Sequence, residues 1–364
     1  MAERLKDRFF TPQSIDAFAA VVKKHAPSFD DVAFVNALND DSFQGLELMQ
    51  MARRATERLR TLLPDSYAEA VAILSEIAPE AKGMEAFCMP TFVELYGLED
   101  WDTSLPAMTL ITRYASCEFA VRPFILSDPP RAMAYLEGLT GDPHPNVRRF
   151  ASEGCRPRLP WGVSLPLFKK DPAPILPILE RLKDDESEFV QRSVANNLND
   201  ISKDHPDLVL DICGRWQGSS EAADWIIKRA CRTMLKDGDR RAMTLFGFGD
   251  PTNLHVEDLE VDRRRVTIGD DVQLSFTLTV EGGKPSKVRL EYVVWYVKAR
   301  GTTSRKVFQI REAVLDPGRH ELARKLSFVD RSTRKHYPGS HRIVVVANGV
   351  EKAETSIELG PTVT

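Results

Sequence analysis

The spacing of apolar residues changes near residue 247, and this change divides the chain into two kinds of structure. Before it, apolar residues recur every three or four positions, as they do between Ile15 and Val22, which is typical of helices. A cluster of helix breakers follows between Gly247 and Pro251. Beyond it, apolar residues alternate with period two, which is typical of strands. The sequence therefore predicts an all-α domain over residues 1–250 and an all-β domain over 255–364.

A pattern in the middle of the helical part repeats after 43 residues. The first copy consists of Leu136, Leu139, Asp142, Val147 and Arg149, and the second of Leu179, Leu182, Asp185, Val190 and Arg192. Each copy predicts a helix, an acidic turn and a second helix, and a degenerate third copy would carry Ile227 and Arg229. The period is that of HEAT-type helical pairs. We therefore predict a HEAT-like helical-repeat solenoid with one concave face.

The C-terminal part predicts seven short strands, at 256–261, 272–280, 287–298, 305–313, 320–328, 340–348 and 352–358. Alternating residues from Val272 to Val280 and from Val288 to Tyr296 would each line one buried face. This number of strands in so short a stretch is typical of an immunoglobulin-like β-sandwich, in which Trp295 would be a core residue. The sandwich contains no cysteine, so it would hold without a disulfide.

The distribution of charge and the cysteine content indicate the kind of partner and the cellular compartment. The net charge is −4, but residues 1–112 carry −8 while residues 255–364 carry +4, which leaves room for local basic patches. The five cysteines are scattered, which favours a reducing compartment. The charged N-terminus lacks the apolar run of a signal peptide, and no stretch has the length of a membrane span. We expect a cytoplasmic monomer that does not enter a membrane.

Common catalytic signatures are absent from the sequence. It contains no glycine-rich phosphate loop, no H-E-x-x-H and no G-x-S-x-G motif, and its seven histidines are dispersed. We therefore expect neither a metal nor a cofactor. On these motifs alone, two interpretations remain open: a non-catalytic DNA-binding scaffold, and a HEAT-type module for protein interactions.

Glu118 stands out in the segment 114–124 because it lies among apolar and small residues. Buried carboxylates usually have a partner, and on a helix Arg122 at i+4 would supply one. A simple structural ion pair explains this segment equally well.

A second segment, 147–161, combines an acid, four arginines and a constrained tryptophan. Glu153 lies late on the second helix of its repeat, where Gly154 forces an end, and Trp161 lies between a proline and a glycine. The arginines are Arg148, Arg149, Arg156 and Arg158. Arginines suit phosphate contacts, and a tryptophan suits stacking on a nucleotide. The alternative is a charged helix end with a packed tryptophan.

Two strings in these segments resemble the AlkC branch of the DNA alkylation-repair glycosylases. They are Ser116-x-Glu118-Phe-Ala-Val-Arg122-Pro-Phe124 and Arg148-Arg149-Phe-Ala-Ser-Glu153-Gly-x-Arg156-Pro-Arg158-Leu-Pro-Trp161. The resemblance covers residues 1 to about 250, and some AlkC-like proteins carry an immunoglobulin-like domain after it. It implies a base excision repair glycosylase that acts on double-stranded DNA without deep base flipping. Its substrates would be 3-methyladenine and 3-methylcytosine, and Glu118, Glu153 and Trp161 would be catalytic.

The chemistry of this reaction agrees with the composition. A methylated base already carries positive charge, so it leaves as a neutral group without a general acid. A carboxylate can stabilise the oxocarbenium-like sugar and orient water, and a tryptophan face can add cation–π attraction. We expect Glu153 to act closest to the sugar, because it would lie at a helix end that faces the groove.

Four groups of basic residues predict the DNA contacts: those at the starts of second helices, those in the segments that contain Glu118 and Glu153, one that extends the row beyond the third copy, and those in two sandwich loops. These are Arg122, Arg148, Arg149, Arg156, Arg158, Arg192, Lys228, Arg229 and Arg232 in the helical domain, and Arg300 and Arg331 in two basic loops, 298–306 and 331–336. Guanidinium and ammonium groups of this kind bind phosphates. We expect one of the two loops to enter a DNA groove.

Overall fold

The structure is a computed structural model that describes residues 9–331 and 334–362, apart from the side chain of Met84. Ser332 and Thr333, in the second basic loop, therefore lie outside the described residues. The chain forms two compact units, Met1–Ala230 and Cys231–Thr364. The boundary differs from the one expected near residue 250, because two short helices before the sandwich cluster with the strands.

The first unit is α-helical throughout its described part. Its helices are α1 Pro12–His25, α2 Asp31–Leu38, α3 Asp41–Gln44, α4 Leu48–Leu62, α5 Tyr67–Ile77, α6 Cys88–Tyr96, α7 Trp101–Ile111, α8 Arg122–Ser127, α9 Pro129–Gly138, α10 Pro145–Gly154, α11 Pro166–Lys170, α12 Leu176–Leu182, α13 Glu188–Ile201, α14 Pro206–Trp216 and α15 Glu221–Ala230. The two copies of the sequence repeat form α9 with α10 and α12 with α13, each as a helix, a turn and a second helix. In the ranges described, none of the helices combines the length and apolar content that a bilayer span requires.

Helix α10 begins and ends where its sequence requires. Its N-cap, His144, accepts a hydrogen bond from the N–H of Asn146 at 3.2 Å, and Pro145 suits the first position because an N–H there would have no partner in the helix. At the other end, a Cβ on Gly154 would lie 2.7 Å from Cγ1 of Val121. Glycine therefore allows the end of α10 to approach the turn that precedes α8. This approach brings Glu153 towards the segment that contains Glu118.

The second helices α10, α13 and α15 pack side by side in that order. Each buries its third, sixth and seventh residues, which are Val147, Phe150 and Ala151; Val190, Ser193 and Val194; and Ala223, Ile226 and Ile227. The third helix thus aligns Ala223 with Val147, whereas the sequence analysis aligned Ile227. The alignment predicted for the third copy was therefore wrong by four residues. Ala223 and Ile227 lie about one helical turn apart and are both apolar, so the sequence alone does not distinguish the two alignments.

The second unit carries two short helices and eight strands among its described residues. They are α16 Arg232–Lys236, α17 Arg240–Leu245, β1 Leu254–Val261, β2 Arg265–Thr267, β3 Asp271–Val280, β4 Ser286–Val297, β5 Thr303–Leu315, β6 Gly318–Ser327, β7 Gly339–Ala347 and β8 Val350–Gly360. One sheet has the order β1-β3-β6 and the other β2-β8-β7-β4-β5. All seven expected strands are present, and β2, a three-residue strand parallel to β8, is additional.

One apolar cluster fills the space between the two sheets. Alternate residues of β3, from Val272 to Val280, and of β4, from Val288 to Tyr296, belong to it as expected. The expectation for Trp295 was wrong: its indole packs with Val293 and Val344 in a separate cluster, because it occupies the alternate, outward position on β4.

Candidate active site

Glu118 lies in a turn between α7 and α8, and not on a helix as expected. A helix through this segment would need the N–H of residue 123 to bond to the carbonyl of Phe119. Pro123 has no N–H, so α8 begins only at Arg122. The expected i+4 pair between Glu118 and Arg122 therefore does not form, and the two side chains have other partners.

Arg122 is fully buried and donates hydrogen bonds to backbone carbonyls at the end of α10 and in the loop that follows it. Its Nη1 donates to the carbonyl of Gly154 at 2.9 Å and its Nη2 to the carbonyl of Arg156 at 3.0 Å, while Nε donates to the carbonyl of Val163. Burial lowers its pKa to about 10. A guanidinium without exposed surface cannot reach a phosphate in this conformation, so the burial of Arg122 argues against its expected DNA contact.

Glu118 forms an ion pair with Arg149 instead. Nη1 and Nη2 of Arg149 each lie 3.3 Å from one carboxylate oxygen of Glu118, and Nη1 also donates to Oγ of Ser116 at 2.6 Å. Nη2 lies 3.6 Å from Oε1 of Glu153, one helical turn along α10. The two glutamates singled out in the sequence therefore share one arginine, although 35 positions separate them.

Glu153 is held more tightly than Glu118. Its Oε1 accepts a hydrogen bond from Nη1 of Arg156 at 2.6 Å, and its Oε2 accepts one from Oγ of Ser193 at 2.6 Å. Nε of Arg156 donates in turn to Oδ2 of Asp200 at 2.9 Å. All four side chains are buried, so the charges are paired and hydrogen-bonded as buried charges need to be.

The loop after α10 presents Trp161 to solvent. The indole is 75% exposed, and its backbone has φ of 65°, a left-handed conformation that is uncommon for a bulky residue. The loop packs closely against the turn that carries Glu118, since a Cβ on Gly162 would lie 3.1 Å from Cδ1 of Phe119. The structure thus brings together the loop of Trp161 and the segment of Glu118.

Two of the expected phosphate ligands are engaged inside the helical unit. Arg148 donates from Nε and Nη2 to the carboxylate of Asp185 at 2.6 and 2.9 Å, and this hydrogen bonding raises its pKa. Arg156 is buried between Glu153 and Asp200. These contacts argue against the expected DNA contacts of Arg148 and Arg156. Arg158 is different: one-third of its side chain is exposed while Nη2 binds Asp204.

The remaining residues that were expected to contact DNA lie on three different helices and in two segments between strands. Arg192 is exposed on the first turns of α13, whereas Lys228 and Arg229 lie in the last turn of α15 and not at its start as expected. In the second unit, Arg232 begins α16, Arg300 is exposed in the β4–β5 turn, and Arg331 is exposed after β6.

The two basic loops of the second unit meet at one cavity of about 430 Å³. Its cationic lining residues are Lys298, Arg300, Arg305, Lys306, Arg334 and Lys335. Nη1 of Arg334 donates to the hydroxyl of Tyr296 at 2.7 Å, which fixes the second loop against β4. Burial and neighbouring cations, chiefly Arg334, lower the pKa of Lys306. The cavity is therefore suited to an anion.

Sequence reasoning missed three side chains of the site in the helical unit. Asp200 and Ser193 complete the network around Glu153, and the ring of Phe189 lies under the guanidinium of Arg149 at 4.6 Å. A signal existed for Asp200, because the segment 196–200 contains four polar residues on a helix that must bury much of its surface. No comparable signal marks Phe189.

Comparison with known proteins agrees with this arrangement. Residues 34–234 match the model of a family described as DNA alkylation repair enzyme. The chain belongs to the DNA alkylation repair enzyme family. Residues 255–361 match the model of an immunoglobulin-like domain, described as the C-terminal domain of the uncharacterised protein YhaZ. The expected immunoglobulin-like domain after the helical domain is thereby confirmed.

Two relatives cover nearly the whole chain of this family member. The uncharacterized protein YhaZ of Bacillus subtilis (strain 168) is 43% identical over 332 residues, which are 91% of this chain and 92% of the relative. The alkylpurine DNA glycosylase AlkC of Pseudomonas fluorescens, solved with DNA that contains an abasic site analog, is 34% identical with a TM-score of 0.92. That match covers 96% of this chain and 98% of the solved one, and it confirms the resemblance to the AlkC branch.

Proposed function

We propose that this protein is a DNA glycosylase that hydrolyses the N-glycosidic bond of cationic alkylated bases, 3-methyladenine and 3-methylcytosine, in double-stranded DNA. The observation that carries the proposal is the placement of Glu118: a nearly buried carboxylate, held by Arg149, in the turn against which the Trp161 loop packs. The family and the likeness to a solved AlkC glycosylase support the same reaction.

The carboxylate cluster suits a reaction that needs no proton donor. A cationic base departs as a neutral molecule, so the demand falls on the positive charge that develops on the sugar. A preorganised carboxylate stabilises that charge and orients the attacking water. The exposed face of Trp161 adds attraction for the same positive centre. Because this indole projects into solvent, we also propose that the base is not drawn into a deep pocket.

Hydrogen-bond geometry favours Glu118 over Glu153 for the role closest to the sugar, although the sequence favoured Glu153. Both oxygens of Glu153 accept hydrogen bonds of 2.6 Å from Arg156 and Ser193. The oxygens of Glu118 lie 3.3 Å from Arg149, which leaves more of their hydrogen-bonding capacity for a water or a substrate. Glu153 then serves mainly to orient Arg149 and, through it, Glu118.

The remaining elements of the proposal concern the fold and the partner. The equivalent burial of α10, α13 and α15 supports a HEAT-like array. The cationic cavity of the sandwich supports a second contact with the DNA backbone. We propose that the protein acts as a monomer on duplex DNA in the bacterial cytoplasm.

Release of free bases tests the proposed function. Duplex DNA treated with a methylating agent is incubated with the protein, and the released bases are identified by mass spectrometry. We expect free 3-methyladenine and 3-methylcytosine, and no release from untreated DNA, whose neutral bases are poor leaving groups. Folded protein that binds the duplex but releases no base would overturn the proposal in favour of a non-catalytic DNA-binding scaffold.

A further inference from the structure

A second cavity, of about 420 Å³, lies in the N-terminal part of the helical unit, between α1 and the segment that follows α5. Its volume is within the range of about 300–1,000 Å³ that is usual for small-molecule sites. We call it the N-terminal cavity. Its apolar lining residues are Phe9, Ala17, Phe18, Val21 and Ala81, and its polar side chains are Ser14, Glu80, Lys82 and Glu85. None of them belongs to the candidate active site.

Glu85 contributes a buried carboxylate to this cavity, since the residue is only 3% exposed. Its Oε1 accepts hydrogen bonds from the N–H of Phe10 at 2.7 Å and from the hydroxyl of Ser14. Its Oε2 lies against Gly83, another lining residue, so closely that a Cβ there would overlap it. Within the part of the chain that the structure describes, no donor binds Oε2. One oriented carboxylate oxygen is therefore available to a ligand.

The charge of Glu85 has no cationic partner in the described ranges. Lys82, three positions earlier, is exposed and forms no ion pair with it. The other acidic residue of the lining, Glu80, is already engaged, because its carboxylate contacts Lys24 and His25 at 2.9 Å each. Buried carboxylates normally have both hydrogen bonds and a counter-charge. The N-terminal cavity thus supplies the first for Glu85 and leaves the second to a ligand.

We propose that the N-terminal cavity binds a primary ammonium group on a short aliphatic stem. The ammonium group donates to Oε2 of Glu85, while the methylene groups of the stem pack on Phe18 and Val21, as lysine stems do on apolar surfaces. Calcium and magnesium ions take about six or more oxygen ligands, so a single free carboxylate oxygen suits an ammonium group better.

This ligand chemistry has two sources, a free aliphatic amine and the lysine side chain of a partner protein. Both present three N–H donors on a flexible stem. The inference goes beyond the proposed glycosylase activity and does not depend on it, because the N-terminal cavity and the candidate active site share no lining residue.

Isothermal titration calorimetry of the full chain without DNA tests the site, with n-butylamine as the probe. We expect saturable binding near pH 7, where the amine is charged, and at least about tenfold weaker binding of n-butanol, which has the same stem without the charge. Nα-acetyl-lysine N-methylamide distinguishes the two sources. Tighter binding than that of n-butylamine identifies a lysine of a partner protein, and weaker binding identifies a free amine.

Two variants and two matched controls locate the binding. Glu85→Gln keeps an acceptor for the N–H of Phe10 but removes the charge, so we expect at least about tenfold weaker binding of n-butylamine. Ala17→Leu extends a larger side chain from the exposed surface of α1 into the cavity and should abolish binding. Glu69→Gln on α5 and Ala20→Leu on α1 make the same changes at exposed positions outside the lining and should bind as wild type.

Three results would overturn the proposal. They are no saturable binding of either ammonium compound, equal binding of n-butanol, and wild-type affinity in folded Ala17→Leu. The last applies even if Glu85→Gln does not fold, since Ala17→Leu leaves the carboxylate unchanged. Neither DNA nor base release enters the experiment, so its failure is separate from a failure of the proposed glycosylase activity.

Discussion

Arg122 shows how one side chain can organise a site without entering it. Its three donors hold the carbonyls of Gly154, Arg156 and Val163, which lie at the two ends of the loop that carries Trp161. A left-handed backbone at a tryptophan persists only when its surroundings fix it, and Arg122 supplies part of that constraint.

Removal of Arg122 should destabilise the helical unit. In Arg122→Ala, the carbonyls of Gly154 and Arg156, whose hydrogen bonds are buried, lose their donor, as does the part-buried carbonyl of Val163. Each buried group that is left unsatisfied costs about 1–3 kcal/mol, so we expect a loss of about 2 kcal/mol or more. The free energy of unfolding from urea titration measures the effect. Arg181→Ala is the control, because this exposed arginine forms one surface ion pair with Glu137 and should cost less than about 1 kcal/mol. Equal stability of the two variants would contradict the role of Arg122.

The sequence indicated both glutamates but not how they are connected. Glu118 is visible because its carboxylate interrupts a stretch of apolar and small residues. Glu153 is visible because it lies at a helix end among four arginines and close to Trp161. Their partners depend on the path of the backbone: Pro123 ends any helix that could pair Glu118 with Arg122, and packing of α10 places Arg149 there instead. Contacts across repeats of this kind cannot be read from local spacing.

At the scale of elements, periodicity was a better guide than individual residue type. The seven expected strands formed because alternation specifies which face of each strand is buried. Strand β2 was missed because three residues are too few to show alternation. Trp295 was misplaced because its size suggested the core, while its position on β4 set the outward face.

Two buried histidines, one in the loop between β6 and β7 and one on β7, predict a pH-dependent stability. His336 and His341 are buried against Tyr296 and Phe328, and burial lowers the pKa of both imidazoles below the ordinary value of 6.5. Asp330 contacts His336 and opposes this shift, but it does not reverse it. The unfolded chain then binds protons that the folded protein excludes, so stability is complete above about pH 6.5 and falls as pH decreases towards the lowered pKa values.

Substitution of the two histidines should remove this dependence. We expect His336→Asn with His341→Asn to flatten the free energy of unfolding between about pH 7 and pH 5, where carboxylates with lowered pKa values do not yet titrate. His320→Asn, at a partly exposed histidine on β6, should retain the wild-type slope. An unchanged slope in the double variant would show that the buried imidazoles do not control this pH range.

At the scale of the whole molecule, charge is distributed unevenly along the chain. The net charge of −4 combines an acidic N-terminal third with a C-terminal part that carries +4. Within the second unit, six cationic side chains line one cavity. The total charge therefore conceals a local potential that favours phosphate.

Neutralising the cavity should weaken DNA binding and its salt dependence. We expect Arg300→Ala with Lys306→Ala to raise the Kd for a duplex about fivefold or more, and to lower the slope against log salt by about 0.9 for each phosphate that the protein no longer neutralises. Arg319→Ala with Lys325→Ala removes the same charge from β6, where both cations pair with acidic residues, and should change neither quantity. Equal effects of the two double variants would contradict a specific contact at the cavity.

Single-turnover release of 3-methyladenine by Glu118→Gln tests the central claim most directly. Glutamine keeps the size of the side chain and one acceptor for Arg149, but it removes the negative charge that would stabilise the sugar. We predict a rate at least about 100-fold lower than wild type, with unchanged affinity for duplex DNA and a wild-type rate in the control Glu137→Gln. Release by Glu118→Gln at the wild-type rate would contradict the account and leave Glu118 as a structural partner of Arg149.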